Sequence, residues 1–155
     1  MLLLLLMLCI STTEDLRAQV DKVLDEIDIA QSCTKPLIKW HAFKTYNAEY
    51  DELKKELLDV YQTNATDADI KIKSVQHNLY KMAMFAIEYY YVEAKGRVLK
   101  SYLRNNEREV INRVLEPLES EHPNPDTVAL LQYTVKANNY IHDYLDNYEY
   151  GIRYK

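Results

Sequence analysis

Apolar residues recur along most of this chain at steps of three and four, the rhythm of one helical face. Leu16, Val20, Val23, Leu24 and Ile27 follow a capping-box spacing from Ser11 to Glu14, which predicts a first helix over roughly 13–31. Ser32-Cys33-Thr34-Lys35 breaks the pattern, and Pro36 is sited to open a second helix. Phe43, Tyr46, Tyr50, Leu53, Leu57 and Val60 form the seam of that helix, which ends near Gln62 before the polar loop Thr63-Asn64-Ala65-Thr66. The longest pattern runs through Met82, Phe85, Tyr89, Val92, Gly96, Leu99 and Leu103, and predicts one long helix near 67–104. Gly96 lies on this seam. It either lets a neighbouring helix approach closely or ends the helix, since glycine costs about 1 kcal/mol against alanine in a helix interior.

A second capping box, Asn106 with Glu109, opens a short helix carrying Val110, Ile111, Val114 and Leu115, weakened at its end by Pro117. His122-Pro123-Asn124-Pro125 is a turn in which Asn124 can cap and Pro125 can start the last helix. That helix, with Val128, Leu131, Val135, Ile141 and Leu145 on its face, is expected to reach about Tyr150, before Gly151. No window alternates as a strand does, and no internal repeat is present. The fold class expected is all-α: a single-domain bundle of about five helices over 12–150, with a short tail at 151–155.

The segment Met1–Ile10 does not share the amphipathic rhythm. It is uncharged and apolar, too short for the roughly 20 residues that span a bilayer and of the length of a signal-peptide core. We read residues 1–11 as a secretion signal, with cleavage after a small residue such as Ser11 or Thr13. A buried N-terminal helix turn or a weak membrane anchor is the competing reading. Asn64-Ala65-Thr66 is an N-glycosylation sequon between two helical patterns, and agrees with secretion.

Composition narrows the function classes. An apolar fraction of 48% with 28% charged residues is that of a globular domain rather than a disordered chain. Only two glycines and four prolines leave few tight turns, which favours helices. A net charge of −5 opposes general nucleic-acid binding, which draws on Lys and Arg at phosphates. After cleavage Cys33 is the one cysteine left, so it pairs with another chain, stays a free thiol, or is a small buried hydrophobe. Fourteen tyrosines against two phenylalanines and one tryptophan make the interior half-polar, and any tyrosine left outside is good contact surface.

The histidines His41, His77, His122 and His142 form no His-Glu-x-x-His zinc motif. Glu119 and His122 have the spacing of a di-iron ligand pair, but no second pair accompanies them. His142 beside Asp143 reads as a partly buried histidine next to a solvated carboxylate, because adjacent helix residues diverge. A Cys33–His41 nucleophilic pair would lack an orienting group and an oxyanion site. No catalytic set, metal or cofactor is expected.

Two surfaces are candidates for a partner. Lys95, Arg97, Lys100 and Arg104 make the end of the third helix basic, suited to an acidic protein or a sulfated glycan, or simply a solvated face. Tyr133, Tyr140, Tyr144 and Tyr148 line one side of the last helix, either as core packing or as a binding surface, with Asp143, Asp146 and Glu149 giving a setting suited to tyrosine sulfation. The expected function is that of a secreted, non-enzymatic binding protein engaging an extracellular protein. The alternative is a carrier of a small apolar ligand near Met82, Met84, Phe85 and the tyrosines. No stable membrane anchor is expected, and dimerisation through Cys33 is a possibility. The leader, the acidic helical body and aromatics such as Tyr89-Tyr90-Tyr91 resemble the small secreted helical proteins of arthropods, including mosquito salivary proteins. That resemblance implies inhibition of a host defence such as clotting, contact activation or complement. The single mature cysteine departs from the disulfide-bonded members of such families.

Overall fold

A computed structural model of the chain describes the backbone over 2–119 and 126–153, and side chains over 14–119 and 126–147. Five α-helices follow in order: α1 (Leu2–Thr34), α2 (Trp40–Leu58), α3 (Ala65–Lys100), α4 (Asn105–Glu119) and α5 (Thr127–Arg153). A 3₁₀ turn, Asp59–Gln62, follows α2, and no strand occurs among the described residues. The all-α bundle with one long helix is therefore the fold. At 36 residues, α3 is about 54 Å long, and it packs against each of the other four helices.

The seam of α2 packs inward as its spacing requires. Phe43, Tyr50, Leu53 and Leu57 are buried, as is Val60 in the turn that follows. Tyr50, Leu53, Leu57 and Val60 share one core cluster with Val20, Val23, Ile27 and Ala30 of α1 and the inner face of α3, while the Phe43 ring lies 6.1 Å from that of Trp40. Lys54 straps α2 to α1: its Nζ lies 2.5 Å from the Asp28 carboxylate and donates to Gln31 Oε1 at 2.9 Å. Cross-links at Lys39–Glu93, Tyr46–Phe85 and Lys71–Asp59 show that α2 runs antiparallel to α3 and begins beside Glu93. On the other flank, Arg108 to Ser101, Lys95 to Asn112 and Tyr91 to Glu119 fold α4 back along the second half of α3.

Several boundaries differ from the expectation, each for a local reason. Helical backbone in α1 starts at Leu2 rather than near residue 13, because nothing between the leucine run and Glu14 interrupts a helix. Pro36 does not open α2. The amides of Leu37 and Ile38 bond back to the Thr34 carbonyl at 3.0 and 3.2 Å, so Pro36 sits in the connecting turn and α2 starts at Trp40. The box opening α4 is two residues earlier than Asn106/Glu109: the Glu107 carboxylate accepts from the Arg104 amide at 2.8 Å. Asn124 and Pro125 lie outside the described residues, and Asp126 caps α5 by accepting from the Ala129 amide at 3.1 Å. Helical backbone in α5 continues through Gly151 to Arg153, so the expected tail from residue 151 is largely helix.

The larger correction concerns the phase of α3. Its buried face is Ile72, Val75, Leu79, Met82, Ala83, Ala86, Ile87, Tyr90, Ala94 and Val98. Between Phe85 and Leu99 the seam read from the sequence points the other way, while Leu103, past the end of α3, is buried as expected. Phe85, Val92 and Leu99 are exposed, at 43%, 68% and 70%. The helix carries two apolar faces, and the inner one is built partly from alanines that a search for large residues passes over.

Candidate partner surface

The exposed face of α3 exists because its neighbours are shorter or displaced. Seven-residue spacing puts Phe85, Val92 and Leu99 on one line along the helix. Half-exposed Tyr89 and Gly96 lie between them. At its start this line is partly covered by aromatics from α2: Tyr46 stacks on Phe85 at 5.0 Å, and Phe85 on Tyr89 at 6.3 Å. Glu93 marks the limit of that cover, where it meets Lys39 at 3.5 Å and accepts from the Tyr89 hydroxyl at 3.1 Å. Burial first, then the Glu93 carboxylate, raises the Tyr89 phenol above its ordinary pKa. Beyond Glu93, α3 outruns α2, so Gly96 and Leu99 face outward. A Cβ built on Gly96 would meet nothing within 4 Å.

The four expected cations divide. Lys95 is already engaged: its Nζ is 3.5 Å from the Glu119 carboxylate, 3.3 Å from Asn112 Oδ1 and 5.6 Å above the Tyr91 ring. Tyr91 also donates to Glu119. Its phenol is pushed up to about 12, chiefly by burial and then by that bond, while the bond and Lys95 hold Glu119 below the usual carboxylate range. Arg97, Lys100 and Arg104 remain exposed around the corner between α3 and α4, beside Tyr102, which is 87% exposed.

The tyrosine stripe of α5 does not act as one surface. Tyr133 is half-buried against the core and donates to the Val114 carbonyl at 2.5 Å, fastening α5 to α4; burial raises its pKa. Tyr144 is also packed against the core, and Tyr140 is exposed with its ring 6.0 Å from Tyr144. The side chain of Tyr148 lies outside the described residues, and its backbone is helical, as is that of Tyr150. His142 is exposed rather than partly buried, and its partner is Asp146 at 2.7 Å, one turn on, not Asp143. His122, with the Glu119 spacing, is outside the described residues. Among the described residues no group of three metal-ligating side chains converges.

Asn64 is exposed and is the N-cap of α3. Its Oδ1 accepts from the Asp67 amide at 2.9 Å, and its Nδ2 donates to the Asp67 carboxylate at 3.0 Å. Cys33 is half-buried against the core, and burial raises its thiol pKa. The notable cavity is not at Met82, Met84 and Phe85. It is a cleft of about 680 Å³ between α1, α3 and the start of α5, lined by Lys22, Glu26, His77, Tyr80, Asp126 and Leu131 among others. Burial raises the Glu26 carboxyl there, with Lys22 opposing and Asp126 adding to the shift. No helix among the described residues is long and apolar enough to cross a membrane.

Trp40 was the functional-surface candidate that sequence reasoning missed. It is 59% exposed, with Lys44 5.5 Å above its ring, and a lone tryptophan at a helix start carries no periodic signal. No protein-family model, curated protein or solved structure matches this chain.

Proposed function

We propose that this chain is a secreted, non-enzymatic binding protein that engages an extracellular macromolecule through the corner between α3 and α4. The observation that carries the reading is the grouping of exposed Arg97, Lys100 and Arg104 with Tyr102 on a protein that is acidic overall. Cations around an exposed aromatic suit an acidic protein face, where tyrosine and arginine provide the strongest contacts. The leader and the sequon at Asn64 support secretion. The resemblance to arthropod salivary proteins makes components of clotting, contact activation and complement the first partners to screen.

The test is expression in eukaryotic cells, followed by binding of the secreted protein to immobilised extracellular proteins at two salt concentrations. Recovery from the medium with glycan on Asn64 is expected. So is a hit that weakens with salt and loses at least about tenfold in affinity in Arg97→Glu/Lys100→Glu/Arg104→Glu. Retention inside the cell with residues 1–11 intact sinks the secretion reading. Binding that survives the charge reversal removes the corner. The carrier reading now rests on the α1–α3–α5 cleft. Its polar lining of Lys22, Glu26, His77 and Asp126 suits a ligand with a polar head rather than a wholly apolar one.

A further inference from the structure

The outward line of α3 is unexplained by the fold around it. Val92 and Leu99 expose most of their surface, and Gly96 between them carries the cost of a mid-helix glycine with no contact inside the chain that needs it. Phe85, Tyr89, Val92, Gly96 and Leu99 follow alternating steps of four and three, the spacing that packs one helix along another. We infer that this face is the interface of a homodimer, in which α3 of a second copy lies antiparallel across it with the two-fold axis at the height of Ala94.

Charge chooses the second copy and its direction. The first half of the face is flanked by Glu88 and Glu93, and the second half by Lys95 and Lys100. In an antiparallel copy centred at Ala94, Glu93 shares one flank of the contact with Lys100 of the second copy, and Glu88 shares the other flank with Lys95 of the second copy. A parallel copy would set like charge against like. The same register sets Val92 opposite Gly96 and Tyr89 opposite Leu99, large against small at the axis and large against large outside it. Gly96 then supplies the gap into which Val92 of the second copy fits. A two-fold pairing of this kind closes on itself, since each copy offers the same patch. With about four helical turns on each side the contact is small, so a dissociation constant on the order of micromolar is expected. Lys100 belongs to both surfaces, whereas Arg97 and Arg104 lie outside the pairing, and reversing those two alone tests the α3–α4 corner without touching the dimer contact.

Sedimentation equilibrium of the full chain under reducing conditions, from about 5 to about 300 µM, is the test. The expected result is a mass that doubles with concentration. Val92→Glu/Leu99→Glu should stay monomeric with an unchanged helical melt, because both side chains are already exposed. Glu93→Lys should weaken dimerisation about tenfold, and Glu93→Lys/Lys100→Glu should restore it, as an antiparallel pairing alone requires. A monomer at every concentration overturns the inference and leaves the face to a different molecule. A dimer that persists in Val92→Glu/Leu99→Glu, or that disappears on adding reductant, overturns it as well, the latter pointing to Cys33.

Discussion

The hydroxyls of Thr34 and Tyr50 lie 2.8 Å apart, and both residues are fully buried. Thr34 Oγ1 also donates to the Ala30 carbonyl at 2.7 Å, so in the shared bond the Tyr50 hydroxyl is the donor. This polar point inside an apolar core ties the last turn of α1 to the middle of α2. It also shows how a chain with fourteen tyrosines buries one of them.

The two partners should respond unequally to removal. Tyr50→Phe deletes the donor but leaves Thr34 satisfied by Ala30, so a loss of about 1 kcal/mol is expected. Thr34→Val keeps the Tyr50 hydroxyl buried without its partner, and should cost more, about 1–3 kcal/mol. Urea denaturation of both variants checks the order, and equal losses would show that the bond is not what holds the site.

Alkaline pH should destabilise the fold through buried tyrosines. Burial, offset in part by the Thr34 bond, pushes the Tyr50 phenol up to about 12, and burial does the same for Tyr90. An unfolded tyrosine ionises near 10. The raised folded value means the contribution is fully present below about pH 10 and is lost as pH rises from there to about 12. For Tyr50 this amounts to roughly 2–3 kcal/mol. Urea midpoints across that window, with tyrosinate absorbance in parallel, are expected to fall for the wild type and fall less for Tyr50→Phe.

Gly96→Ala should stabilise the isolated chain. The added methyl meets open space and no glycine in the described structure has positive φ, so about 0.5–1 kcal/mol of helix propensity is gained. Thermal or urea unfolding at low micromolar concentration reads the gain. A loss would mean that a neighbour lies closer to Gly96 than the structure shows.

Asn64 has two roles that substitution separates. Asn64→Ala removes both the sequon and the cap, and a cost of about 1 kcal/mol is expected even in unglycosylated protein. Asn64→Asp removes the sequon but keeps an oxygen for the Asp67 amide, so its unglycosylated stability should stay near wild type. Comparison of bacterial and eukaryotic preparations distinguishes cap from glycan.

Cys33 should be slow to react. Its thiol is half-buried and its pKa raised by burial, so little thiolate is present near neutral pH. Labelling with a soluble disulfide reagent is expected to lag well behind an unfolded control and to accelerate in urea. A rate equal to the control would make Cys33 available for a disulfide between chains.

The sequence by itself determined that the chain is helical, how many helices there are, and which side of α2 faces in. Phe43, Tyr50, Leu53 and Leu57 are large apolar residues on one side of an otherwise polar helix, so only one face can be buried. The tertiary structure alone decided the orientation of α3. With apolar residues on both faces, its period is legible but its phase is not. Ala83, Ala86 and Ala94 take the inner side because four neighbours crowd there and small residues let them approach, which turns Val92 and Leu99 outward. The fate of single polar side chains was equally a matter of tertiary contact. Lys95 is tied down because α4 folds back to place Glu119 and Asn112 beside it, and Tyr133 because the same helix presents the Val114 carbonyl. Arg97 and Lys100, on the same stretch of helix, remain exposed. Periodicity encodes what a residue does along its own helix, and only packing sets what waits on the other side.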